Sequence, residues 1–222
     1  GNIFTVRYTL LEGGVLSVSS DFKGVKSDKP VDVPRIGFRM RLPASDDSFT
    51  YYGRGPEENY SDRFSGTLVG KYSSSAAKEY FRYVRPQECG HHTDCGYLTI
   101  GGMAIRSERF EFNALRCSVE DLDSEEAVQH DYQWEYKDPL SKNDPAKAKN
   151  RLRRQTHIND YSERDFVEVC VDYAQSGIGG YDSWGSRPDS DRCLWNDKDY
   201  SFRFAIVPTK AMSAEKSMRY DF

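Results

Sequence analysis

Ile36, Phe38, Met40 and Leu42 alternate with Arg35, Gly37, Arg39 and Arg41, and this period of two constrains the fold most. Successive side chains of a strand point to opposite faces, so the pattern predicts a strand with one buried face. Val167, Val169, Val171 and Tyr173 alternate in the same way with Glu168, Cys170, Asp172 and Ala174. Tyr200, Phe202, Phe204 and Ile206 alternate with Ser201, Arg203, Ala205 and Val207. Shorter strand candidates lie at 5–10, 15–22, 80–84, 97–100, 103–106 and 110–115, and Gly-Gly pairs at 13–14, 101–102 and 179–180 punctuate them as turns. Helix signals are few. Ser118 followed by Asp121 is a capping pair that predicts one short helix over 119–128. Many strands and almost no helix predict an all-β antiparallel sandwich.

The 222 residues suffice for one sizeable core, so a single β-sandwich domain over 1–222 is expected. A formal charge of -4 excludes a general pull toward nucleic acid or an anionic membrane. No apolar run approaches the length of a spanning helix, and no basic, apolar leader opens the chain. The start, Gly1-Asn2, carries no initiator Met, and the chain reads as a fragment of a longer protein whose compartment stays open. Five cysteines (89, 95, 117, 170 and 193) cannot all pair within one chain, so free thiols are expected, with Cys170 buried as a small hydrophobe. Segment 137–157 carries seven Lys and Arg with Pro139 and Pro145. It reads as a mobile, solvated excursion rather than a phosphate-binding arm, because no aromatics interleave its basic core.

Cys89-Gly-His91-His92-Thr-Asp94-Cys95 has ligand types that suit zinc. Structural zinc sites draw on two separated knuckles, and no second Cys/His cluster exists, so a polar strand-to-strand loop with incidental thiols is the preferred reading. His91 or His92 with Glu88 or Glu58 is the candidate acid–base combination. No nucleophile elbow, phosphate-cradling loop or dinucleotide fingerprint is present.

Two segments are denser than ordinary loops: Tyr51-Tyr-Gly-Arg-Gly-Pro-Glu-Glu-Asn-Tyr-Ser-Asp-Arg63 and Gly177-Ile-Gly-Gly-Tyr-Asp-Ser-Trp-Gly185. An indole gives the apolar face of a sugar a flat platform, so Trp184 is a candidate substrate-binding residue. Asp182 is a second, able to accept hydrogen bonds from sugar hydroxyls or nearby amides. Composition leaves open the reading in which Trp184 lids the end of the core. In the first segment Glu58, Asn59, Asp62 and Arg63 are expected to form a buried or half-buried polar network that fixes loops at one end of the sandwich.

Taken together, Pro34-Arg-Ile-Gly-Phe38, the segment Tyr52–Arg63, Tyr83-Val-Arg-Pro-Gln-Glu88, Thr93-Asp94, Phe112-x-Ala-Leu115, Glu120-Asp-Leu-Asp123 and Gly177–Gly185 occur in an order that resembles the C-terminal, small-chain domain of family-two β-galactosidases. The resemblance implies a super-sandwich of the galactose mutarotase type. It also implies that the two catalytic Glu, about 5 Å apart in a retaining glycosidase, lie on a separate barrel domain, so no catalytic residue is assigned to this chain. The matching Trp of the family lines the pocket mouth and stacks on the galactoside, a role the resemblance gives to Trp184. It further implies Mg and a monovalent cation in the parent enzyme, one cation site using main-chain oxygens near Arg85 and Pro86. The expected partners are the remaining domains of that enzyme. Departures are Cys89-Gly90-His91-His92 where Asn-Gly-x-Arg is common, Tyr181 where an acidic residue is frequent, and the basic excursion after Asp138. An autonomous aldose 1-epimerase-like enzyme and a carbohydrate-binding module are the rival readings.

Overall fold

The computed structural model describes residues 1–84, 88–122, 161–182 and 184–211. The alternating segments become β3 (Arg35–Pro43), β8 (Phe166–Gln175) and β9 (Tyr200–Pro208). Around them stand β1 (Ile3–Leu10), β2 (Leu16–Lys23), β4 (Ser48–Gly55), β5 (Leu68–Ser75), β6 (His91–Ile100) and β7 (Met103–Leu115). Neighbouring strands run antiparallel in the order β1-β2-β9-β7-β6-β4-β5, with β8 branching from β7 and β3 pairing with β8. Among the described residues the only helical elements are short 3-10 turns, and no helix is long and apolar enough to cross a membrane.

β7 makes the sandwich. Its first half, from Met103 to Arg106, pairs with β9, whereas Glu111 to Leu115 pairs with β8. β6 follows it through register shifts between His92 and Cys95 and between Cys95 and Tyr97. Such bulges bend a strand, and here the bent β6–β7 pair passes from one layer to the other. Phe38 of β3 then packs on Phe204 of β9 and Phe4 of β1, with ring centroids 5.2 and 6.0 Å apart. The core between the layers contains Val18, Phe49, Tyr51, Leu98, Ile105, Phe110, Phe112, Val167, Val169, Val171 and Phe204. Burying each such side chain contributes about 1.5–3 kcal/mol.

Four local expectations need correction. β8 is buried on both faces rather than one, because Glu168, Cys170 and Asp172 lie under arginines from β3. Segment 80–84 forms no strand; Tyr80 and Tyr83 instead pack against Cys89, Leu115 and Cys117. Segments 103–106 and 110–115 are one continuous strand. The segment from His91 to Cys95 belongs to β6 and is not a loop. The Ser118–Asp121 pair does cap: Ser118 Oγ accepts the Asp121 amide at 3.3 Å, and Asp121 Oδ2 accepts the Ser118 amide at 2.9 Å. It opens a 3-10 turn, Val119–Leu122, while residues 123–160, including the basic segment 137–157, lie outside the described residues.

Candidate functional site

At the end of β4 the chain leaves the sheet and turns back. Tyr60 and Arg63 exchange backbone hydrogen bonds of 2.9 Å each, which closes the turn. Asn59, fully buried, ties that turn to two strands. Its Nδ2 donates to the carbonyls of Arg54 at 2.9 Å and Glu57 at 3.0 Å, and its Oδ1 accepts from the amide and hydroxyl of Thr93 at 2.9 and 2.6 Å. Both amide donors and both acceptor directions are therefore used. Glu58 accepts from the Gly90 amide at 2.8 Å, from the Tyr60 hydroxyl at 3.1 Å and from the Tyr83 hydroxyl. Arg63 is exposed, and its Nη1 reaches the Tyr83 hydroxyl at 3.4 Å.

The other dense segment meets this turn through Asp62. Asp62 Oδ1 accepts the Ile178 amide at 3.1 Å, while Oδ2 accepts the Gly179 amide at 2.8 Å and the Tyr181 hydroxyl at 3.2 Å. Gly179 has φ +64, a left-handed conformation that glycine adopts without steric cost. The Gly180 amide donates to the Ser186 carbonyl at 2.8 Å, and Asp182 Oδ1 accepts the amides of Trp184 and Ser186 at 2.8 and 3.1 Å. The excursion is therefore closed on itself, and Trp184 projects from it 93% exposed. Tyr181 beside it is 56% exposed.

The two histidines sit on the opposite side of the ledger, at 0% exposure. His91 Nε2 contacts Glu111 Oε2 at 3.0 Å, and the same oxygen accepts the Gln175 amide at 2.8 Å. His92 Nε2 contacts Glu79 Oε2 at 2.8 Å, and its ring lies between Tyr51 and Phe112 at centroid distances of 4.6 and 5.2 Å. The histidine partners are thus Glu111 and Glu79, not the Glu88 or Glu58 of the candidate combination. Spacing gave no signal for either pairing: the β6–β7 register sets the first, and Glu79 comes from the turn after β5. Cys89 and Cys95 are buried, and burial pushes both thiols up. Among the described residues no three His, Cys, Asp or Glu side chains are grouped to hold a metal ion. The main-chain oxygens of Arg85 and Pro86 lie outside the described residues.

Beneath β3 and β8 lies a polar layer that sequence reasoning missed. Arg35 donates to Asp172 at 2.8 Å, to Glu88 at 3.2 Å and to Gln175 at 3.2 Å. The register shift between Ile36 and Gly37 places Gln175 and Asp172 on one face, within reach of the same guanidinium. Glu168 accepts from Arg41 at 2.9 Å and from the Val119 amide at 3.0 Å. Burial pushes the Asp172 carboxyl up to about 6, against the opposing pull of Arg35 and His91. Burial raises the Glu168 carboxyl too.

Known proteins bear on this geometry. A β-galactosidase from Priestia megaterium is 31% identical over 209 residues, which cover 91% of this chain and 17% of that protein. One from Leuconostoc mesenteroides is 30% identical over 213 residues, 94% of this chain and 17% of its own length. One from Streptococcus thermophilus is 26% identical over 210 residues, again 91% and 17%. The chain thus spans about a sixth of the length of these relatives. The family model described as β-galactosidase small chain matches residues 2–206, from the edge strand β1 through the Asp62 turn and the Trp184 excursion to β9, and the chain belongs to that family.

Proposed function

We propose that this chain is the C-terminal domain of a longer β-galactosidase that hydrolyses terminal β-D-galactosides, inactive by itself, and that Trp184 completes the sugar pocket built by the other domains. The observation that carries the reading is an indole 93% exposed on an excursion whose backbone is hydrogen-bonded at both ends. Stacking on the apolar face of a galactosyl ring would remove that surface from water. Asp182 commits Oδ1 to the Trp184 and Ser186 amides, and in this reading its other oxygen accepts a sugar hydroxyl. The expected partners are the remaining domains of the parent enzyme, with the sugar at the junction.

The epimerase-type rival has its two carboxylate-paired histidines in β6, yet both rings are fully buried, where no sugar reaches them. The test is turnover of a nitrophenyl galactoside. The isolated chain is expected to give none, and the longer enzyme containing it is expected to give turnover whose KM rises on Trp184→Leu. Hydrolysis by the isolated chain, or faster anomer interconversion of galactose by polarimetry, contradicts the proposal.

A further inference from the structure

We infer that Asp62 is a positioning residue for Trp184, holding residues 177–182 in the shape that carries the indole outward; this rests on the stacking reading above. The Trp184 ring, 93% exposed, has almost no packing of its own to fix it. Its place is set by its backbone. Asp62 receives three donors from that one excursion: the Ile178 amide, the Gly179 amide and the Tyr181 hydroxyl. Two consecutive amides turned toward one carboxylate form a small anion-holding concavity, and hydrogen bonds to a charged acceptor are stronger than neutral ones.

The approach is close enough to depend on glycine. A Cβ on Gly177 would stand 2.7 Å from Asp62 Cγ. Asp62 is itself held, since its turn is closed by the Tyr60 and Arg63 backbone bonds. Arg192 cross-links the same two segments, donating from Nη1 to the Ser61 carbonyl at 3.1 Å while its own carbonyl accepts the Gly177 amide at 2.8 Å. Asp182 then shapes the tip and Asp62 the base. A preformed platform spares an incoming sugar the entropy of ordering a loop, so loss of the base anchor weakens binding before it touches chemistry.

The test uses the longer enzyme that carries this domain, with a nitrophenyl galactoside as substrate, and amide exchange on the chain itself. Asp62→Ala is expected to raise KM about tenfold with kcat within about threefold, as for an interaction equal in ground and transition states. Asp62→Asn, which keeps an oxygen acceptor without the charge, falls between. Gly177→Ala perturbs the same contact from the backbone side and is expected to reproduce the KM increase, which keeps the test open if Asp62→Ala folds poorly. The double variant Asp62→Ala/Trp184→Ala is expected to raise KM by clearly less than the product of the two single effects, because Asp62 acts through the excursion that carries the ring. Amide exchange at Ile178 and Gly179 is expected to speed up about tenfold or more while β8 amides hold. KM increases that multiply in the double variant, or unchanged exchange at the two amides, overturn the Asp62 assignment alone. An unchanged KM in Trp184→Ala overturns the stacking reading and the functional weight of the anchor with it.

Discussion

Asp172 Oδ2 and Arg35 Nη2 lie 2.8 Å apart across β8 and β3, with the carboxylate side chain only 2% exposed. Glu88, Glu111, His91 and Cys170 surround the pair. Burial dominates the carboxyl and lifts it from 3.8 to about 6, so the folded chain holds that proton more tightly than the unfolded chain does. The stabilising contribution of the protonated form is full below about pH 4 and is lost as pH rises through about 6. Measured by urea unfolding, the stability of the parent chain relative to Asp172→Asn is expected to fall by about 3 kcal/mol between pH 3 and pH 7. A difference that stays flat, or rises with pH, contradicts this account of the polar layer.

Asn59 concentrates four side-chain hydrogen bonds in a fully buried position. Asn59→Ala leaves the Thr93 amide and hydroxyl and two carbonyls without those partners, at a cost of about 3 kcal/mol. Asn59→Asp is expected to cost at least as much, since a carboxylate oxygen would face the carbonyls of Arg54 and Glu57. A loss below about 1 kcal/mol in denaturant titration for either variant would show that the turn does not depend on this residue.

His91 and Glu111 form a pair whose members are unequal under mutation. His91→Leu leaves the Glu111 carboxylate buried with only the Gln175 amide, a loss of about 3–5 kcal/mol. Glu111→Gln preserves the shape and is expected to cost markedly less. Thermal denaturation ranks the two, and the reverse order contradicts a carboxylate held chiefly by the imidazole.

Chelation distinguishes a carboxylate-bonded histidine pair from a metal site. Each imidazole Nε2 is already on a carboxylate, and Cys89 and Cys95 are buried among apolar and backbone groups. Tm of the isolated chain is expected to be unchanged by excess chelator and by added zinc. A chelator-induced drop in Tm contradicts the hydrogen-bonded assignment of His91 and His92.

The strands with a clean apolar row were legible in the sequence, as β3 and the Phe202–Phe204 row of β9 illustrate, although Ala205 and Val207 bury the other face of β9 as well. β4 and β5 were not: in β4 the buried positions are Phe49, Tyr51, Gly53 and Gly55, so half of the inward row has no side chain to signal burial. β5 is an edge strand that ends in three serines, with Leu68 exposed. On the second buried face of β8 only Cys170 was legible as buried; Glu168 and Asp172 were hidden because they are charged, and charge signals burial only when its partner is known. Those partners come from β3 and depend on a bulge. At the candidate site Trp184, Asp182 and the Asp62 turn stood out by composition alone. The bonds that join them span more than a hundred residues and follow from topology.

The most direct measurement is a structure of the longer enzyme with a galactose-like inhibitor bound. The Trp184 indole is expected to lie flat over the apolar face of the sugar, in van der Waals contact at about 4 Å. An indole packed against a neighbouring domain, with the sugar bound beyond its reach, would contradict it.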